Sequence, residues 1–153
     1  MRTRFAVLFA VPLLLVSAAQ RRGRVHDDST RADVAAAVAR EFDSYRKQVK
    51  APNGETIDLT PTLRRIADGK SLRDVGLPPH DGDGTVFLNL VDRAAGRRPL
   101  PPKPRDYYVE FVVPPNDHAR WPGPQRLIVG RNGEAYYSPN HYDAEGIVPL
   151  NER

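Results

Sequence analysis

"YYVEFVV", residues 107–113, decides how this chain is built. It is made of aromatic and β-branched residues, which suit a pleated, half-buried surface. Successive side chains on a strand point to opposite faces, so Tyr107, Val109, Phe111 and Val113 share one face and Tyr108, Glu110 and Val112 the other. Runs of the same kind surround it: "TVFLN" (85–89), "RLIVG" (126–130), "EAYYS" (134–138) and, near the end, "IVPL". Each is short and bounded by turn residues. The connectors are the turn-rich "VGLPPHDGDG" and the proline- and arginine-rich loop "LVDRAAGRRPLPPKPRD".

Upstream of these runs the periodicity changes. From Arg31 to Lys50 the apolar positions Val34, Val38, Phe42, Tyr45 and Val49 fall on one helical stripe, with Ser29 or Thr30 available as the cap. "KAPNGE" then ends the helix, because Pro52 and Gly54 break it. "LTPTLRRIADGK" signals a shorter helix: Thr60 as cap, Pro61 in the first turn, Leu63 and Ile66 inward, Gly69 at the stop. Helices first and an antiparallel sheet of short strands afterwards give an α+β fold, with N-terminal helices packed on a twisted sheet. The sequence contains no internal repeat.

Of the 153 residues 40% are hydrophobic and 27% charged, which suits one compact domain with a modest core. The chain opens with Arg2 and Arg4, then "FAVLFAVPLLLV" and "SAAQ", the order of a secretory signal with cleavage after Ala18 or Ala19. The apolar run is too short to span a bilayer comfortably. The expected organisation is a signal peptide over 1–19, a flexible polar leader over 20–30, an extra N-terminal helical segment over 31–55 and the main domain over 56–153. Losing Arg2 and Arg4 leaves 21 basic against 19 acidic residues, a net charge of +2. So small a surplus excludes nucleic-acid binding by bulk electrostatics, and a phosphate ligand has to be met by a few placed cations. Cysteine is absent, which removes disulfides and thiolate chemistry.

Three residues carry candidate chemistry. Glu110 stands mid-strand among apolar neighbours, where desolvation has to be offset by a cation or hydrogen bonds. Arg126 opens the next strand and shares a face with Ile128. His141 lies in "SPNHY", a turn crowded by tyrosines. A structural ion pair explains the first two, and strand packing explains Tyr136 and Tyr137. The three together also form the parts needed to cleave RNA without a metal or cofactor: a base for the ribose 2′-hydroxyl, an acid for the leaving 5′-oxygen and a cation for the phosphorane. His26, His80 and His118 have no metal-ligand spacing, so a zinc site is rejected. "GDGTVF" lacks the lysine and helix of a phosphate loop.

From about Thr62 to Leu150 the chain resembles the secreted, barnase-like microbial guanyl-preferring ribonucleases. The resemblance rests on "TLRRIADG", "HDGDGTVFLN", "LPPKPRDYYVEFVVP" and "RLIVGRNGEAYYSPNHY", in that order. It implies that Glu110 is the general base, Arg126 the phosphate-binding arginine and His141 the general acid. Phe87 and Tyr142 are then the aromatic residues flanking the base site, and Asn89 contributes through its backbone. Single-stranded RNA is read by splaying bases onto aromatic faces, which accounts for tyrosines around such a histidine.

The chain also departs from that family. After the asparagine the family continues with an arginine and a glutamate that pairs with guanine; here Leu90 and Val91 stand in those places, and Asp92 is the nearest carboxylate. The basic residue four positions before the phosphate-binding arginine is Pro122, and Arg120 could replace it if the "RWPGPQR" turn bends back. Arg97, Arg98, Lys103 and Arg105 are either solvated or a grip on flanking phosphates. The expected protein is a secreted, monomeric endoribonuclease acting on single-stranded RNA, held in check inside its maker by a small acidic inhibitor. The alternative is a catalytically impaired relative that binds nucleotide or protein.

Overall fold

The computed structural model describes residues 16–93, 95–116, 120–142 and 146–151, with side chains from residue 28 onward. Most of the expected signal segment lies outside the described residues. Helix α1 runs Val16–Glu41 and α2 runs Thr60–Ala67. Strands β1 (Gln48–Lys50) and β2 (Thr56–Asp58) form a hairpin of their own. Strands β3 (Thr85–Phe87), β4 (Tyr108–Val112), β5 (Arg126–Gly130), β6 (Ala135–Ser138) and β7 (Val148–Pro149) form an antiparallel sheet in chain order. The fold is α+β, as the order of helix and strand patterns implies.

Packing follows the alternation. Val109, Phe111, Leu127, Val129, Ala135 and Tyr137 turn one sheet face toward Val34, Val38, Leu63 and Ile66 of the helices. On the other face Tyr108 and Ile128 gather Leu100, Phe87, Tyr136 and Tyr142 into a smaller cluster. Tyr107 departs from its expected face. The ladder begins at Tyr108, so Tyr107 joins this second cluster, its ring edge-on to Tyr108 at 5.0 Å and its hydroxyl donating to Glu134 Oε1 at 2.6 Å.

The N-terminal segment differs from expectation in three ways. Residues 20–30, expected as a flexible leader, continue helix α1 in register, so Thr30 lies inside the helix, where it cannot cap it. Its hydroxyl instead accepts from Arg131, whose other contacts reach Asp106 and Asp33. The helix also stops at Glu41, nine residues early. Phe42–Ser44 tighten into a 3-10 turn and Tyr45 turns extended, yet Tyr45 and Val49 stay buried on the core side. Pro52 and Gly54, read as helix breakers, belong with Asn53 to the turn of the β1–β2 hairpin: Gly54 takes φ +82° and donates to the Ala51 carbonyl at 2.9 Å. Finally, Val34 and Val38 lie in the same core cluster as the inward residues of β4–β6, so the helical segment packs against the sheet.

Helix α2 keeps Leu63 and Ile66 inward and ends at Gly69, φ +67°. Its first turn is served by Asp58, which accepts from the Thr60 N–H at 2.9 Å, while Thr60 caps nothing with its own side chain. The bonds from Thr60 hold the Asp58 carboxyl below its ordinary pKa. Arg65, on the buried face of α2, meets Asp83 through two bonds of 2.8 and 2.9 Å, and Asp83 Oδ1 also accepts from the Val112 N–H. That contact ties α2 and the 78–84 loop to β4. Among the described residues no helix is long and apolar enough to cross a membrane.

Candidate active site

Register brings the candidate residues to the sheet face away from the helices. Glu110 pairs across β4–β3 with Thr85 and across β4–β5 with Ile128; Arg126 pairs with Val112 and Ser138. Arg126 is therefore a diagonal neighbour of Glu110 on one face, in range of electrostatic contact. A cleft of about 760 Å³ opens beside them, lined by Phe87, Asn89, Asp92, Glu110, Asn140, His141 and Tyr142 with Leu88 and Leu90.

The Glu110 carboxyl is held by one neighbour and left open on its other side. The Thr85 hydroxyl lies 3.1 Å from Oε1 and 3.1 Å from the Gly82 carbonyl, so its single proton serves one of them at a time. Oε2 is buried with no hydrogen-bond partner among the described residues. Desolvation raises the pKa of Glu110, against the Thr85 hydrogen bond and the Arg126 charge, while Asp83 pushes it further up. The result is a carboxylate that is a stronger base than its solvated counterpart.

Arg126 is 3% exposed. Its Nη1 donates to the carbonyls of Gly123 and Gln125, both at 2.8 Å, which fastens the guanidinium to the turn before β5. Burial lowers its pKa, and the charges of Glu110 and Asp83 oppose that.

His141 and Tyr142 follow β6 in consecutive left-handed conformations, φ +48° and +76°. Such geometry is costly for residues with a Cβ, so the surrounding structure has to hold it. The His141 N–H donates to the Pro124 carbonyl at 3.1 Å and the Tyr142 N–H to Ser138 Oγ at 2.8 Å. The ring of Tyr142 then stands 4.8 Å from both Phe87 and His141, measured between centroids. Desolvation lowers the pKa of His141, and the charges of Arg126 and His80 lower it further.

Asn89 is 5% exposed and left-handed, φ +48°. Its amide donates to the carbonyls of Leu100 and Pro101 at 3.0 and 3.1 Å and its Oδ1 accepts from the Leu100 N–H at 3.0 Å. It thus shapes the cleft by pinning the long loop. Arg98 of that loop donates to the Asn89 carbonyl at 2.6 Å. Asp92 lines the cleft, but its Oδ1 accepts from the Ala95 N–H at 3.3 Å within a turn closed between Asp92 and Arg97. Leu90 and Val91, 67% and 53% exposed, present aliphatic surface at its mouth.

Arg120 does not join them. It lines a neighbouring depression with Asn53, Glu55, Gly123 and Pro124, which meets the cleft at Asn140, while the Gly123 and Gln125 carbonyls accept from Arg126. Two residues given no role in the site by the sequence reading do stand near it: Thr85, bonded to Glu110, and His80, whose ring borders the same Gly82 that the Glu110 carboxylate borders.

Comparison with known proteins fits this arrangement. No protein-family model matches the chain. The guanyl-specific ribonuclease St of Saccharopolyspora erythraea is 32% identical over 113 residues, covering 67% of this chain and 100% of that protein. The chain belongs to the microbial guanyl-specific ribonuclease family. Solved structures of ribonuclease Sa2 are also similar in sequence. One, with guanosine-2'-cyclophosphate, is 32% identical over 61% of this chain and 84% of its own, with a TM-score of 0.45. Another, with exo-2',3'-cyclophosphorotioate, is 34% identical over 61% and 83%, with a TM-score of 0.42.

Proposed function

We propose that the chain is an endoribonuclease that cleaves single-stranded RNA by transesterification, without metal or cofactor. Glu110 takes the proton from a ribose 2′-hydroxyl, the 2′-oxygen attacks the adjacent phosphorus, and the bond to the 5′-oxygen breaks as His141 gives that oxygen its proton. The products are a 2′,3′-cyclic phosphate and a free 5′-hydroxyl. Water then opens the ring with the roles reversed, His141 taking a proton from water and Glu110 returning one to the 2′-oxygen, which leaves a 3′-phosphate. Arg126 faces the charge that collects on the phosphoryl oxygens.

The observation that carries this reading is the meeting of Glu110, His141 and the Phe87–Tyr142 ring pair in one cleft. The electrostatics support it: the base has a raised pKa and the acid a lowered one. The rings offer a base a stacking surface, an interaction worth about 1–3 kcal/mol. Both proton-transfer groups are present, which favours a working enzyme over a binding-only relative. Guanyl preference comes from the guanyl-specific relative. Here Phe87, Tyr142 and the backbone around Asn89 would carry it, with Asp92 as the neighbouring carboxylate. Export through the N-terminal basic and apolar segment, action as a monomer and neutralisation by an acidic inhibitor belong to the same reading.

Incubating the purified chain with single-stranded RNA and a chelator tests it. Fragments ending in 2′,3′-cyclic phosphate are expected at some pH between about 5 and 8. Intact RNA across that range sinks the proposal.

A further inference from the structure

His80 precedes β3 in the loop 78–84 and has no part in the mechanism above. Its ring nevertheless borders the same glycine as the catalytic carboxylate. A Cβ on Gly82 would lie 3.2 Å from His80 Cε1, 3.3 Å from His80 Nδ1 and 3.3 Å from Glu110 Oε1. Ring and carboxylate therefore both border one point, and a side chain at position 82 would press on each of them.

The ring is also fixed. The Gly82 N–H donates to His80 Nδ1 at 3.0 Å, so the neutral ring carries its proton on Nε2. The loop around it is closed by the Asp83 N–H to the His80 carbonyl at 3.0 Å and the Gly84 N–H to the Glu110 carbonyl at 2.8 Å. It is anchored below by the buried Asp83–Arg65 pair, 5% and 3% exposed. A donor held this rigidly suits a transition state, because it needs no reorganisation as charge develops. On another side the ring borders a small hollow lined by Arg31, Arg73 and Asp83.

We infer that His80 is a further catalytic residue of this site, an imidazole that donates its Nε2–H to a non-bridging oxygen of the scissile phosphate beside Glu110. The inference rests on the ribonuclease reading. Where Pro122 offers no cation, this donor shares the phosphoryl charge with Arg126.

Two substitutions separate this role from loop capping. His80→Asn keeps an acceptor near the Nδ1 position for the Gly82 N–H and removes the distal donor. His80→Gln keeps a distal donor. His80→Asn is expected to lower kcat on a guanylyl dinucleotide by on the order of 100-fold, the usual loss with one transition-state donor. KM and the thermal midpoint should stay close to those of the parent, and His80→Gln should recover part of kcat. In the parent chain, adding guanosine 3′-monophosphate should shift the His80 ring signals in a ¹H–¹⁵N spectrum. If the parent cleaves RNA and His80→Asn keeps kcat within two-fold, the inference is overturned and the ribonuclease reading stands. If the parent cleaves nothing, the ribonuclease reading fails; His80 then depends on its ring signals, and a ring unmoved by the nucleotide overturns it as well.

Discussion

Burial of the Glu110 carboxyl, opposed only in part by the Thr85 hydroxyl and the Arg126 charge, leaves its pKa above the ordinary carboxylate value. For a carboxyl raised in the folded state, the stabilising contribution is fully present below the unfolded pKa of about 4.3 and is lost as pH rises through the folded value. At neutral pH the ionised group therefore weakens the fold. Glu110→Gln should abolish most activity, about 100-fold or more, and yet melt at a higher temperature than the parent at pH 7, with the difference shrinking toward pH 4. Melting curves at the two pH values check the sign; a variant less stable at pH 7 refutes it. His141 is shifted the opposite way. Cleavage needs Glu110 ionised and His141 protonated, so the limbs of the kcat/KM profile move toward each other from about 4.3 and 6.5. The expected profile is a narrow bell without a plateau, and a flat optimum several pH units wide contradicts it. Tyr137 supplies an independent test of packing. Its hydroxyl is buried with no partner among the described residues, and burial holds its pKa up at about 12. Removing an unpaired buried polar group recovers part of a cost of about 1–3 kcal/mol, so Tyr137→Phe should stabilise the chain by about 1 kcal/mol in urea denaturation. A loss of stability instead reveals a partner for the hydroxyl.

The loop from Leu88 to Pro101 is pinned at both ends by the side chain of Asn89. Asn89 makes three bonds to Leu100 and Pro101 and holds a left-handed backbone that alanine adopts only with strain. Asn89→Ala should cost about 2–4 kcal/mol and raise KM more than it lowers kcat, because the loop walls the cleft while the proton-transfer groups sit on β4 and after β6. A variant with unchanged KM would detach this loop from substrate binding. The same contrast explains what could be read from the sequence. Strands β4–β6 were legible to within a residue because alternation depends only on near neighbours, and with them the shared face of Glu110 and Arg126. Tyr107 was misplaced since the ladder starts one residue later. The end of α1 was hidden for a different reason: Tyr45 and Val49 are buried whether the chain stays helical or turns into β1, so the apolar stripe cannot tell the two apart. Asn53-Gly54 held the deciding signal. In the site, Arg120 was misjudged because the path of a turn depends on which carbonyls Arg126 takes. His80 was invisible because its approach to Glu110 needs both the missing Cβ of Gly82 and the distant anchor at Arg65.

That anchor couples the core to the cleft. Arg65 stands on α2, Asp83 on the loop before β3, and both reach β4 at Val112, whose N–H donates to Asp83 and whose carbonyl accepts from Arg65 at 3.3 Å. A buried pair of this kind adds little net stability over an apolar alternative, but removing one partner strands the other charge away from water. Asp83→Ala should therefore destabilise the chain by about 3–5 kcal/mol, measurable as a lower urea midpoint with a similar slope. Arg65→Met combined with Asp83→Leu should recover much of that loss, because no unpaired charge remains. The same substitution reaches the chemistry by a second route. Asp83 pushes the Glu110 pKa upward through its negative charge, so its removal lowers that pKa and moves the acid limb of kcat/KM to lower pH. Structural damage alone would reduce the active fraction without shifting the limb. An Asp83→Ala enzyme assayed below its melting temperature therefore distinguishes the two effects, and an acid limb that stays in place shows that the anchor acts on the cleft only through the fold.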